Sequence, residues 1–203
     1  MSYSSETTRR QILSCAKKEF LREGYQKANL RRIVREAKAT TGALYHYHHG
    51  KKALFEALVK EPAEEMLETF RSMHEGACAR VCEQVENHEK MQAFSDRGTD
   101  WMIDFIYSHW DACKLLFCQA KGSSYEDYVE RLIAIEEQTY RSMVTSGGKE
   151  GSVSPFFIHV ACTSAFREIV EVVDHDLSRE EAMRFMANVK RFRFAGWSEM
   201  LKA

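Results

Sequence analysis

Apolar residues recur at helical spacing along almost the whole chain, and only two prolines, Pro62 and Pro155, interrupt 203 residues. Ile12, Ala16 and Phe20 repeat every fourth position, and Leu30, Ile33, Val34 and Ala37 follow the i, i+3, i+4, i+7 pattern. Further on, Met66, Phe70, Met73, Ala77, Val81 and Val85 make one long stripe. Strict apolar–polar alternation is scarce. A period near 3.6 rather than 2 predicts an all-α protein of about nine helices. The chain is long enough to bury a sizeable core without a disulfide framework. It has no apolar run long enough to cross a bilayer, and Met1 to Glu6 carry no signal-peptide core. A cytoplasmic location is therefore expected, with the six cysteines as reduced thiols.

Local signals divide the first sixty residues into short helices. Thr8 to Gln11 reads as a capping box, and Gly24 as the stop of the helix it opens. Asn29 is a good N-cap for a second helix. After a tight connection at Lys38 and Ala39, Thr40 or Thr41 can cap a third helix to about Tyr47, and a fourth begins near Lys51. Pro62 should bend or break the path there. This predicts a head over residues 1–61, with a helix-turn-helix at about 29–48, and a helical body over 62–203.

Charge follows the same division. Residues 1–60 hold 13 Lys/Arg against 5 Asp/Glu, a net +8, while the remainder is −9 and the whole chain −1. A basic head on an acidic body suits a protein that meets a polyanion at one end.

The second helix of a helix-turn-helix is the one that enters a DNA major groove. Gly42 lies in its first turn, where glycine costs about 1 kcal/mol relative to alanine, a cost explained if the backbone must approach a base edge or phosphate. Thr40 and Thr41 offer hydroxyls beside that helix end. His46 shares the face of Gly42, and Tyr45 and Tyr47 offer phenolic donors to flanking phosphates. Lys51 and Lys52 oppose the dipole of the helix they open, and a phosphate held against Lys51 would reverse that penalty.

Thr41-Gly42-Ala43-Leu44-Tyr45-His46-Tyr47-His48-His49-Gly50-Lys51, followed by Ala53-Leu54-Phe55, resembles the head of TetR/AcrR-type transcriptional regulators across residues 8–60. The resemblance implies an N-terminal three-helix DNA-binding head followed by a ligand-binding and dimerisation bundle. It implies DNA contact at Thr40, Thr41, Gly42, Tyr45, His46, Tyr47 and Lys51, and adds Arg31 near the start of the second helix. It further implies a homodimer on a near-palindromic duplex operator. Repression by promoter occupancy, relieved when a small-molecule effector binds the body, is the expected mode of action, with Pro62 part of the transmission hinge. Two positions depart from the family pattern. Lys38 stands where glycine is usual before the recognition helix, and His48 stands where phenylalanine packs beneath it.

In the body, Trp101, Phe105, Trp110 and Phe117 could wall an effector pocket, with Asp104, His109 and Tyr128 as orienting polar groups, although such aromatics more often form core. The last two helices carry surplus apolar faces. Val160, Ile169, Val173, Phe185, Val189 and Phe192 are the candidates for a four-helix dimer seam. His74, Cys78 and Cys82 lie at i, i+4 and i+8, part of a thiolate–imidazole ligand set, but no fourth ligand is specified and core packing explains them better. The adjacent His46, His48 and His49 point in different directions, so no metal and no cofactor is expected. Glycine-rich phosphate loops, nucleophile elbows and HExxH helices are lacking, which argues against an enzyme. A helical protein–protein adaptor is the alternative, but it leaves Gly42, Tyr45 and Lys51 without a shared purpose.

Overall fold

The computed structural model describes residues 2–81, 88–146 and 153–200. Among these it contains nine helices and no strand: α1 (Ser2–Lys27), α2 (Leu30–Glu36), α3 (Thr41–His48), α4 (Lys51–Val81), α5 (His88–Ser108), α6 (Trp110–Cys118), α7 (Tyr128–Ser146), α8 (Pro155–Asp174) and α9 (Arg179–Met200). The all-α expectation holds. The chain separates into two compact units, one of residues 1–65 with 109–128, the other of 66–108 with 129–203.

Within the first unit, α1 turns Ile12, Ala16 and Phe20 inward, all with no exposed surface. It begins before Thr8, so the capping box expected there lies inside the helix. Gly24 marks the stop, with φ 72° and ψ 164°, a region open essentially to glycine alone. Beyond it the backbone N–H of Tyr25 donates to the Gln119 carbonyl at 2.8 Å, just after α6. The Tyr25 ring turns back onto Phe20 and Phe55, with centroids 5.9 and 5.1 Å away. Lys17 and Asp111 pair at 2.5 Å, and the Tyr128 hydroxyl donates to the Ala63 carbonyl at 2.8 Å. Pro62 does not end the helix it sits in: α4 continues through it. A proline removes one N–H and one ladder bond, and Val59, Ala63 and Met66 carry the buried stripe across the gap.

In the second unit, Pro155 sits at the start of α8, where its missing N–H is no loss, and Ser154 caps the helix by accepting from the Phe157 N–H at 3.1 Å. The capping box at Ser178 is present, because Glu181 accepts the Ser178 N–H at 2.9 Å and Ser178 Oγ accepts the Glu181 N–H at 3.3 Å. Gly147, Gly148 and Gly151 lie outside the described residues.

Gly24→Ala should destabilise the first unit by about 2 kcal/mol or more, since the added Cβ meets Gln119 Oε1 at 2.9 Å in a backbone region closed to alanine. Thermal unfolding of the two proteins measures this. An unchanged midpoint would show that the turn relaxes freely.

Candidate nucleic-acid interface

The second and third helices are set by their caps. Asn29 Oδ1 accepts the Arg31 N–H at 2.9 Å, and Ala37, Ile33 and Val34 bury the inner face of α2. The chain then turns through Lys38 at φ 50°, a left-handed conformation. This is the position where the family pattern has glycine, and the geometry gives the reason: a Cβ there carries a local steric cost of about 1–2 kcal/mol. Thr40, not Thr41, is the N-cap of α3, its Oγ accepting the Ala43 N–H at 3.1 Å.

Helix α3 presents one outward face. Thr41, Gly42, Tyr45 and His46 are exposed, and so are Thr40 before it and Arg31 on α2. Tyr47 is half-buried; its hydroxyl donates to Ser5 Oγ at 3.1 Å and its ring lies 4.9 Å from His46. Leu44 and His48 form the inner face. Gly42 is the informative member. Its φ is not positive, and a Cβ built on it would meet nothing nearer than Thr40 Oγ1 at 3.8 Å. Nothing inside the chain requires glycine here.

Lys51 is placed differently from the sequence argument. Its ammonium donates to the Gln26 carbonyl at 3.0 Å and sits 4.9 Å over the Tyr25 ring, half-buried. The dipole penalty at the start of α4 is thus offset by a carbonyl at the end of α1. Burial pushes the Lys51 pKa below its usual value, against a smaller opposing pull from Glu19. Lys52, beside it, is exposed.

His48 is 4% exposed, and its ring Nε2 lies 3.4 Å from the Arg9 carbonyl, to which the neutral ring can donate. That answers how a histidine occupies a phenylalanine site. It packs beneath α3 and finds a backbone partner on α1. Burial lowers its pKa from 6.5, only partly opposed by the hydrogen bond to Arg9.

The residues considered for an effector pocket are divided between the units: Trp101, Asp104 and Phe105 in one, His109, Trp110, Phe117 and Tyr128 in the other. Trp101 and Phe105 are 5.5 Å apart, Asp104 pairs with Arg179 at 2.6 Å, and Phe117 stacks on Tyr128 at 6.4 Å. Phe105 and Tyr128 are core, while Trp101, His109, Trp110 and Phe117 are half-buried.

Of the seam residues, Val160 and Phe192 are exposed and Phe185 and Val189 half-buried. Ile169 and Val173 are buried within their own unit, so a change at either disturbs core packing. Phe156 is exposed on α8 as well, and Met183 and Phe194 supply exposed apolar surface on α9 that residue spacing alone did not single out. His74 is buried with Nδ1 2.8 Å from the Phe70 carbonyl; the side chain of Cys78, and Cys82 altogether, lie outside the described residues. No group of three or more His, Cys, Asp or Glu among the described residues could hold a metal.

Residues 12–58 match the family of bacterial regulatory proteins, tetR family. The head is similar to the HTH-type transcriptional regulator UidR of Escherichia coli, 32% identical over 76 residues, which are 37% of this chain and 39% of that one. It is also similar to the HTH-type transcriptional repressor Rv1474c of Mycobacterium tuberculosis, 43% identical over 58 residues, 29% and 31% of the two chains. The chain therefore spans well under half the length of these relatives. A TetR-family regulator from Streptomyces coelicolor shares the fold over 91% of this chain and 90% of its own, with TM-score 0.59 and 18% identity. A TetR-family structure from Syntrophomonas wolfei does so over 94% and 96%, with TM-score 0.52 and 14% identity. The N-terminal head thus resembles the tetR-family head over residues 12–58, and the fold of the described helices is shared with solved TetR-family structures.

His48→Phe should remove an acid-sensitive element from the head. The folded His48 has the lower pKa, so below about pH 6.5 the unfolded chain takes up a proton that the fold resists, and stability falls. The stability difference between His48→Phe and wild type should accordingly grow as pH is lowered from 7 to 5, read by denaturant unfolding. A difference independent of pH would contradict this account.

Proposed function

We propose that this chain is a sequence-specific DNA-binding transcriptional regulator, a repressor that works as a homodimer on a near-palindromic duplex operator and is released by a small-molecule effector bound in its body. The observation that carries the DNA reading is Gly42. It is an exposed helical glycine without positive φ and without an internal neighbour that excludes a side chain. A helix that forgoes the ~1 kcal/mol an alanine would contribute has a reason outside the chain, and close approach to a base edge or phosphate is such a reason. Thr40, Thr41, Tyr45, His46 and Arg31 surround it with donors of the kinds that reach phosphates and base edges. The net +8 of residues 1–60 supports the same reading, as do the printed names of the head's relatives, a regulator and a repressor rather than enzymes.

Lys51 enters this reading with a changed role. Its hold on the Gln26 carbonyl makes it a strut between α1 and α4, which leaves the exposed Lys52 as the freer phosphate partner. Homodimerisation is supported by Phe156, Val160 and Phe192, which are 75%, 46% and 77% exposed on α8 and α9. Large apolar side chains grouped on two helices favour a covering partner, and a second copy offers the same surface back. For release, the effector must bind more tightly to a dimer whose two heads no longer match successive major grooves about 34–36 Å apart. No described helix is long and apolar enough to cross a membrane, in keeping with a regulator that meets DNA in the cytoplasm.

Selection of bound duplexes from a random pool should enrich inverted half-sites; a pool without enrichment would remove the sequence-specific claim. Gly42→Ala is the sharper test. It should leave unfolding unchanged or raise stability by up to about 1 kcal/mol, yet weaken binding to the selected duplex about tenfold or more. Undiminished binding would mean that the backbone does not approach DNA at this point.

Phe192→Glu should shift the protein to a monomer in sedimentation while helical content is retained, because the side chain is not part of the core. An unchanged oligomer would place the seam elsewhere.

A further inference from the structure

The one charged residue with no exposure among the described residues of the head is Glu19, on the core-facing side of α1. An isolated carboxylate in that position would be strongly unfavourable. Its Oε1 accepts the backbone N–H of Asn29 at 2.9 Å. Its Oε2 accepts from the guanidinium of Arg22, and Arg32 stands 3.7 Å away. Glu23 then takes Arg32 at 2.8 Å, which ties α1 to α2 on the same side. Stability alone is a poor reason for such an arrangement, since well-packed apolar residues often replace buried ion pairs without loss.

The geometry offers another reason. Asn29 is held at both ends: its N–H by Glu19, and its Oδ1 by the N–H of Arg31. The residue after Leu30 is therefore fixed in the first turn of α2 by a two-step relay that begins on α1. We propose that Glu19 is a positioning residue for DNA contact, its carboxylate clamping the Asn29 cap and through it holding Arg31 in place for the phosphate backbone. This inference rests on the regulator reading above. The carboxylate's second service is to engage Arg22 and Arg32 in ion pairs within the head, while Arg31 is exposed.

Two variants separate the roles. Glu19→Gln keeps an acceptor for the Asn29 N–H, whereas Glu19→Leu removes it. Amide hydrogen exchange should show Asn29 protected in wild type and Glu19→Gln and exposed in Glu19→Leu. Duplex binding, measured below each variant's unfolding midpoint, should fall about tenfold in Glu19→Leu and by less than about threefold in Glu19→Gln. In an Arg31→Ala background the Glu19→Leu loss should shrink to less than about twofold, because both changes remove one contact. Persistent protection of Asn29 in Glu19→Leu, or a tenfold loss that survives in Arg31→Ala, would overturn the proposal. If wild type binds duplex and Glu19→Leu binds equally well, the positioning role alone fails. If wild type binds no duplex, the regulator reading fails and takes the role of Arg31 with it.

Discussion

The closure of α1 at Gly24 is the constraint on which the head depends. Only a glycine can take φ 72° with ψ 164°, and that single step out of the helix exposes two backbone groups to new partners. The Tyr25 N–H reaches the Gln119 carbonyl, and the Gln26 carbonyl receives Lys51. Continued as a helix, the chain would have spent both of these groups internally. The same turn folds Tyr25 over Phe20 and Phe55, which makes a three-ring cluster and gives Lys51 a ring face to rest on. Helices α1, α4 and α6 thus meet at one chain reversal.

From that closure the candidate interface is built outward in short steps. Asn29 begins α2 five residues after Gly24, with Glu19 holding its N–H, and the αL turn at Lys38 delivers Thr40 to cap α3. Each cap satisfies helix-end N–H groups that a short helix cannot satisfy by itself. The two departures from the family pattern are accommodated locally. Lys38 adopts a conformation more easily reached by glycine, and His48 substitutes a carbonyl hydrogen bond for part of the packing a phenylalanine would give. Neither disturbs the outward face of α3, where Thr41, Gly42, Tyr45 and His46 remain exposed.

Signals carried by neighbours in the chain were legible in advance. The spacing of Ile12, Ala16 and Phe20, the cap at Asn29 and the stop at Gly24 all depend on residues within one or two turns, and all are present. Signals that require knowledge of the opposite surface were not. Thr8 looked like a helix start because its local pattern is that of a cap, yet α1 extends past it toward the N-terminus. Pro62 looked like a break, yet a buried stripe on both sides carries α4 through it. Ile169 and Val173 looked like surplus apolar surface, and their own unit covers them.

By itself, then, the sequence determined the helical class, the order of the head helices and the outward face of α3, because helical periodicity and capping are short-range. Only the tertiary structure decided what each polar group in the head is for. Lys51 is a strut because Gln26 and Tyr25 lie against it, and Glu19 is a clamp because Asn29 and two arginines converge on it. Those partners come from other turns and other helices, and whether a charge is solvated, paired or pressed against a ring depends on distances that no single stretch of chain contains.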